Sequence, residues 1–144
     1  MTPRNTSTGA VLEAMVLPAL DRGGYAWRVQ IETGCRPGGR KHQVDAIASK
    51  DGEHVLVSLR WQQTSGTAEQ KVPFEVMCLA DAIRGGKADR AYLVLGGDGW
   101  TLRDYYTSGA LSEHLTHAHL VRVVTLEAFV RLDSMAVGAE TCLT

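Results

Sequence analysis

The part of the sequence with the clearest chemical potential is a strand-to-helix junction, residues 57–76, which reads VSLRWQQTSGTAEQKVPFEV. Strand alternation predicts that Ser58, Arg60 and Gln62 share one face. The helix that follows adds three charged side chains, Glu69, Lys71 and Glu75. A hydroxyl, a guanidinium, an amide and carboxylates in one place suit either a polar surface strand or a site that cleaves phosphodiester bonds.

An acidic residue, Asp45, lies in the middle of an otherwise apolar strand, VDAIA. A carboxylate there is costly unless it is paired or bound to a metal. Mg²⁺ prefers carboxylate oxygens, and a nearby cation stabilises the charge that develops on a phosphate under attack. Neighbouring strands lie about 5 Å apart, so an acid on one strand and Arg60 on the next can serve one site.

A basic segment precedes this strand. Residues 35–42, CRPGGRKH, hold Arg36, Arg40, Lys41 and His42 and no acid. Glycine and proline predict a loop. Two interpretations remain open, a solvated turn and a surface that contacts the phosphates of DNA.

Local patterns predict a helix, three strands, a helix, a strand, a helix, a strand and a closing helix. Asp51-Gly52 makes a tight turn, so the second and third strands pair in antiparallel fashion. The apolar run RAYLVLGG is typical of a buried parallel strand reached by a helical crossover. The sequence therefore predicts an α/β fold of three layers around a mixed sheet.

Two helix ends carry more specific expectations. The first helix has Thr8 as a candidate N-cap, and Pro18 should kink or shorten it. In the second helix, Thr67 and Gln70 could form a capping box. Pro73 is deep for a first turn, so this helix begins either at Thr67 or near Val72.

Bulk properties limit the classes of protein. A chain of 144 residues predicts one domain, which we place at 8–133 between a flexible N-terminus, 1–7, and a C-terminal tail, 134–144. The content of 44% hydrophobic and 22% charged residues is that of a globular protein. A net charge of −1 argues against coating nucleic acid by bulk electrostatics.

The sequence signals for membrane insertion, secretion and redox compartment all favour a cytoplasmic protein. No apolar run is long enough to span a bilayer, and the first residues lack the apolar stretch of a signal peptide. The three cysteines, Cys35, Cys78 and Cys142, are scattered without CxxC spacing. Reduced thiols of this kind predict a cytoplasmic protein.

The order of elements, with Asp45 on the second strand and a polar-x-cation pair on the third, resembles the PD-(D/E)XK nuclease superfamily over about residues 8–96. The resemblance implies a restriction-endonuclease-like fold, with an αβββαβ core followed by α-β-α. It implies that Asp45 binds metal, that Arg60 stands at the usual catalytic lysine, and that Gln62 is the polar position after it. Glu13, on the first helix, matches the acid that many members use as an outer metal ligand.

The sequence departs from the superfamily pattern at two positions. Ser58 replaces the second acid, as in a branch of restriction enzymes that takes this acid from the following helix. Glu75 matches that migrated acid, and Glu69 is the alternative. Arginine at position 60 supplies charge but cannot act as a base, and Lys71 is a possible substitute.

The resemblance implies a DNA endonuclease that uses Mg²⁺, with Mn²⁺ as a substitute, and acts as a homodimer. A second hypothesis is a catalytically degenerate nuclease fold that binds DNA or serves in an assembly. A third is a small-molecule enzyme on a flavodoxin-like sheet, but three antiparallel strands argue against it.

Overall fold

Five strands form a single mixed sheet in the order β1-β2-β3-β4-β5 in the computed structural model, which describes residues 9–35, 39, 41–64 and 66–134. The first three strands form an antiparallel meander, and β3, β4 and β5 run parallel. The predicted mixed sheet is confirmed. The strand bounds are β1 Ala26–Cys35, β2 Lys41–Lys50, β3 Glu53–Trp61, β4 Arg90–Gly96 and β5 Val121–Thr125.

Helical segments connect and flank the strands. A π-helical turn, Leu12–Val16, leads directly into the first α-helix, so Pro18 stands where the wide turn ends. The weak helical pattern after β4 yields only a short helix and a 3₁₀ turn, Ala110–Glu113, and a second 3₁₀ turn, Ala118–Leu120, precedes β5. The α-helices are α1 Leu17–Arg22, α2 Ala68–Arg84, α3 Arg103–Thr107 and α4 Leu126–Ser134.

Some expectations fall outside the described part of the chain. These are the N-cap at Thr8, the flexible segment 1–7 and the tail 134–144, of which only Ser134 is included as the end of α4. None of the helices in the described ranges combines the length and the apolar character that crossing a bilayer requires.

Apolar side chains on both faces of the sheet create the three layers. Along β3, Leu56 packs on the side of α2, whereas Val57 packs on the side of the N-terminal helical segment and α4. Leu93 and Val94 of β4 divide in the same way. The alternation that the sequence shows therefore translates into two cores, one on each side of the sheet.

Helix α2 begins at Ala68 rather than near Val72, and Pro73 lies inside it. The predicted capping box does not form, because Thr67 makes no side-chain capping bond. A proline inside a helix leaves the carbonyl four residues earlier without its usual N–H donor. Here that carbonyl belongs to Glu69, and the Tyr106 hydroxyl donates to it at 2.7 Å. This bond compensates for the proline.

The strand alternation of β1 and β2 changes phase at one place. Trp27 packs on the side of the N-terminal helices, whereas Ile31 packs on the side of α2, although an even spacing normally keeps two residues on one face. Between them, Gln30 has a φ of +54°. In β2, Val44 and Ala46 likewise pack on opposite sides, with Asp45 between them.

This phase change sends the far half of the β1–β2 hairpin toward α2. Val29, which lies just before the phase change, is 41% exposed. β1 pairs with β2 alone within the described sheet, so it is an edge strand with less cover.

Candidate active site

Four of the polar residues singled out above meet where β2 and β3 separate, namely Asp45, Ser58, Arg60 and Glu75. Paired residues of these two strands end at Ala46 and Val57, and Asp45 is the next residue of β2. The backbone N–H of Leu59 donates to Asp45 Oδ2 at 2.6 Å. The Asp45 side chain thus takes the hydrogen bond that a continuing strand would otherwise take, and Arg60, the residue after Leu59, is partly exposed.

Glu75 of α2 is the centre of the cluster. Its Oε2 accepts hydrogen bonds from Ser58 Oγ at 2.9 Å and from His42 Nε2 at 3.2 Å. Its Oε1 accepts from Arg60 Nη2 at 2.9 Å. Because Glu75 lies on α2 and its donors come from β2 and β3, it ties the three elements together.

The two carboxyl groups of the cluster titrate in opposite directions. Burial raises the pKa of Asp45, and the charge of Glu75 raises it further against the opposing effects of the Leu59 N–H and Arg60. Burial also tends to raise the pKa of Glu75, but the His42 hydrogen bond and the Arg60 charge outweigh it and lower this pKa below the usual value. Glu75 therefore favours its anionic form, whereas Asp45 holds its proton more tightly than an ordinary aspartate does.

Arg60 forms the accessible side of the cluster. Its side chain is 36% exposed, whereas that of Glu75 is 6% exposed. Arg60 Nε is buried and has no hydrogen-bond partner within the described part of the chain. The partly exposed guanidinium beside two carboxyl groups is an arrangement that can neutralise an incoming phosphate.

His42 is not placed as the sequence suggested. It was expected in the exposed basic loop, but it belongs to β2 and is 4% exposed. Its ring lies between Thr33 Oγ1, at 2.8 Å from Nδ1, and Glu75. The phase change described above explains this position, because it directs the hairpin side chains of this region toward α2.

Glu69 lies apart from the cluster, although it is on the same helix. Six residues separate it from Glu75, so the two side chains leave the helix in different directions. Glu69 accepts hydrogen bonds from the backbone N–H groups of Thr101 and Leu102 and from the Thr101 hydroxyl. The Thr101 hydroxyl bond is the main reason that the pKa of Glu69 is lowered. This glutamate holds the segment before α3.

Gln62 supports the loop after β4. Its Nε2 donates to the carbonyl of Gly99 at 2.8 Å, and the N–H of Gly99 donates back to the Gln62 carbonyl at 2.8 Å. A Cβ at Gly97, where φ is +92°, would lie 2.4 Å from that same carbonyl. Gln62 Oε1 is buried without a hydrogen-bond partner in the described ranges.

The remaining expected residues are exposed or outside the described ranges. Lys71 is exposed one helical turn before Glu75, and Glu13 is exposed and lines a cavity of about 450 Å³ with Trp27 and Gln30. Within the described ranges, no group of three or more His, Cys, Asp or Glu side chains is placed to hold a metal ion, so Glu13 does not complete a set with Asp45 and Glu75.

Two residues of the predicted DNA-binding loop, Arg36 and Arg40, lie outside the described ranges. Lys41 is the first residue of β2, and its side chain is 77% exposed. It lies 3.5 Å from Glu32 on the neighbouring strand. A weak, solvated ion pair of this kind leaves the lysine able to meet a phosphate.

Sequence reasoning missed the inward role of Thr33 and His42. A signal existed, because His42 and Val44 alternate in β2 and Val44 is a core residue. That alternation places the His42 ring on the same side as a buried valine. The basic neighbours of His42 obscured this pattern.

Comparison with known proteins identifies one family. A family model described as "PD-(D/E)XK nuclease superfamily domain" matches residues 4–135. No curated protein matches the sequence. The chain is similar to a solved structure titled "Crystal Structure of Protein of Unknown Function AF1548", with 11% identity and a TM-score of 0.47. The similarity covers 76% of this chain and 54% of the other, so this chain spans about half the length of that relative.

Proposed function

The chain belongs to the PD-(D/E)XK nuclease superfamily, and from this premise we propose that it is a DNA endonuclease that hydrolyses phosphodiester bonds with a divalent metal ion. Its mixed five-strand sheet with helices on both faces is a restriction-endonuclease-like fold. The observation that carries the proposal is the meeting of Asp45, Glu75 and Arg60 where β2 and β3 separate.

Asp45 and Glu75 are the groups that would hold Mg²⁺, or Mn²⁺ in its place. Two carboxylates suit Mg²⁺, which keeps several waters and is usually held by one or two carboxylates together with substrate phosphates. The raised pKa of Asp45 supports the assignment, because a bound cation offsets the cost of ionising this acid. When bound, the ion supplies Lewis-acid stabilisation of charge on the scissile phosphate.

The protein groups divide the remaining tasks. Arg60 neutralises the charge that appears at the phosphate, and its partial exposure allows it to reach a strand of DNA. Ser58 holds Glu75 Oε2, so it acts through the glutamate. Lys71, exposed one turn before Glu75, is a second cation within the same region. Gln62 supports the loop that adjoins β3.

DNA is the proposed substrate, and the β1–β2 hairpin is its proposed docking surface. Lys41 stands at the end of that hairpin with Arg36 and Arg40 beside it in the chain. A local basic surface can steer DNA although the whole chain has a net charge of −1. Cutting both strands of a duplex further suggests a symmetric homodimer, in which each site cuts one strand.

The second candidate is a nuclease-fold module that binds DNA without cutting it. One observation favours it: Arg60, which the resemblance aligns with the usual lysine, is paired with Glu75 at 2.9 Å, so the guanidinium competes for the carboxylate that would hold metal. Arginine is also no substitute for an ammonium that can exchange protons.

Plasmid cleavage tests the proposal. We expect supercoiled DNA to be nicked or linearised in Mg²⁺ or Mn²⁺, and we expect Asp45→Asn and Glu75→Gln each to reduce the rate at least 100-fold. Glu69→Gln is the matched control, because this buried glutamate lies on the same helix but binds Thr101 instead. It should retain cleavage in proportion to its folded fraction.

Metal-dependent cleavage that survives Asp45→Asn would refute the assigned site. Absence of cleavage by wild type, with DNA still bound, would favour the binding module.

A further inference from the structure

A buried chain of side chains, Thr33, His42 and Glu75, runs from β1 through β2 to α2. The side chains of His42 and Glu75 are 5% and 6% exposed, and Thr33 is 6% exposed. His42 Nδ1 lies 2.8 Å from Thr33 Oγ1, and His42 Nε2 lies 3.2 Å from Glu75 Oε2. The imidazole is therefore fixed at both nitrogens.

The direction of the second contact follows from Glu75. A carboxylate accepts hydrogen bonds and donates none, so His42 Nε2 must carry the hydrogen. Thr33 adapts to the other nitrogen, because its hydroxyl can donate to Nδ1 or to the backbone carbonyl of His42, 3.3 Å away. His42 can therefore donate to Glu75 through Nε2 while the Thr33 hydroxyl stays in place on the other side of the ring.

The hydrogen bonds at Glu75 are unequally shared between its two oxygens. A carboxylate offers about four acceptor positions. Oε2 uses two of them, for Ser58 and His42, whereas Oε1 uses one, for Arg60. The fourth position is therefore on Oε1, on the side of the partly exposed guanidinium, and His42 helps to keep the carboxylate in this orientation.

We propose that His42 is a positioning residue of the active site, which holds Glu75 so that Oε1 faces the side from which metal and phosphate arrive. This inference rests on the proposed function. Groups that orient a metal ligand commonly contribute 10- to 100-fold to metal affinity or activity. His42 acts through Glu75, and the ring itself touches neither metal nor substrate.

Binding of Mn²⁺ alone, followed by electron paramagnetic resonance of the free ion, tests the proposal. We expect His42→Ala to weaken Mn²⁺ binding 10- to 100-fold and His42→Gln to recover affinity to within a few-fold of wild type. The glutamine amide can donate to Glu75 as Nε2 does. Thr33→Val, which removes the hydroxyl that holds the other side of the ring, should give an intermediate loss.

Two further measurements separate positioning from simple support of the fold. Thermal unfolding and near-ultraviolet circular dichroism give the folded fraction of each variant, for which affinities are corrected. In the metal-free protein, nitrogen-15 correlation spectra should show a hydrogen on Nε2 of His42. A ring that carries its hydrogen on Nδ1 alone would overturn the proposal without any use of metal.

The failures of the two proposals differ. If wild type binds Mn²⁺, Asp45→Asn abolishes binding and His42→Ala binds as wild type does, the positioning role is wrong and the proposed function stands. If His42→Gln binds as weakly as His42→Ala in a folded protein, the donor is not what matters and the positioning role is also wrong. If wild type binds no Mn²⁺, the metal-dependent function fails, and the positioning role fails with it.

Discussion

Arg60 stands where the resemblance implies the usual catalytic lysine. The contacts of Arg60 indicate how an arginine at this position affects the charge of the site. One terminal nitrogen is committed to Glu75 at 2.9 Å, and its Nε is buried without a partner in the described ranges. The site therefore carries a positive charge, but the ion pair with Glu75, the carboxylate proposed to hold metal, neutralises part of it. A lysine carries the same charge on one compact group.

Arg60→Lys should therefore raise the rate of DNA cleavage by about tenfold or more, which corresponds to ~1.4 kcal/mol in barrier. The ammonium keeps the electrostatic stabilisation and shifts its pKa more readily when desolvated. The measurement is plasmid cleavage in Mg²⁺, with Asp45→Ala in the same background as the control that should abolish it. An unchanged or lower rate in a folded variant would show that arginine is the preferred residue here.

Asp45 provides a second prediction at this scale, on stability. The folded state holds the proton of Asp45 more tightly than the unfolded state does, because burial raises its pKa above 3.8. Folding stability therefore falls as pH rises from the unfolded value of the pKa through the folded one, and the cost of ionising Asp45 is complete only above the folded value. Asparagine removes the charge while its carbonyl can still accept from the Leu59 N–H.

Without metal at pH 7, Asp45→Asn should raise the free energy of unfolding by roughly 0.5–2 kcal/mol, the range of single stabilising replacements. The gain should shrink as pH falls toward 3.8. Urea unfolding at several pH values measures both. Asp81→Asn, at an exposed position of α2, should change stability by less than ~0.5 kcal/mol. A gain that is independent of pH would contradict the electrostatic cause.

At the scale of elements, α2 determines which glutamate reaches the site. Pro73 lies between Glu69 and Glu75, yet the helix continues through it because Tyr106 of α3 occupies the free carbonyl of Glu69. The buried phenol has a raised pKa, chiefly because of burial, so it remains a hydroxyl that can donate. The contact between α3 and α2 thus supports the helix that carries Glu75.

Tyr106→Phe should lower the free energy of unfolding by about 1–3 kcal/mol, because a buried carbonyl loses its only replacement donor. Tyr105→Phe is the matched control at the neighbouring, 41% exposed position and should cost less than ~0.5 kcal/mol. In a Pro73→Ala background, which restores the backbone N–H, the cost of Tyr106→Phe should fall. Equal costs in both backgrounds, measured by urea unfolding, would show that the bond does not compensate for the proline.

At the scale of the whole molecule, the sheet brings the Glu75 cluster and Lys41, at the start of β2, to the same region. His42 binds Glu75, and Arg40 and Lys41 precede His42 in the sequence. β1 reaches from this loop to α1 over about 30 Å, so cations at the α1 end of the strand are remote from the cluster. The proposed contact with DNA therefore depends on local charge, because the net charge of the whole chain is −1.

Replacing Arg40 and Lys41 with alanine should weaken DNA binding and flatten its salt dependence by about two units of log–log slope, if each meets one phosphate. Arg22→Ala with Arg28→Ala removes equal charge at exposed positions near the α1 end of β1, and it should leave the slope unchanged. Filter binding at several salt concentrations gives the slopes. Equal slopes for wild type and the loop variant would mean that the loop is only a solvated turn.

Local patterns in the sequence predicted most of the elements and the polar face of β3. Alternation predicted β3 and the shared face of Ser58 and Arg60, and the apolar run after α2 predicted a buried parallel strand. These patterns depend on the backbone of one segment, so they are legible without knowledge of the rest of the chain. The family model of the superfamily matches residues 4–135, which include all of these elements.

The partners of these residues depend on the folded structure. It brings Glu75 rather than Glu69 to the cluster, directs the His42 side chain toward α2 and places Gln62 against the loop after β4. Each outcome depends on packing between elements, and above all on the change of strand phase at Gln30 and Asp45, which carries the hairpin toward α2. Local periodicity cannot report such a change, because a single residue with positive φ reverses the faces of every residue that follows.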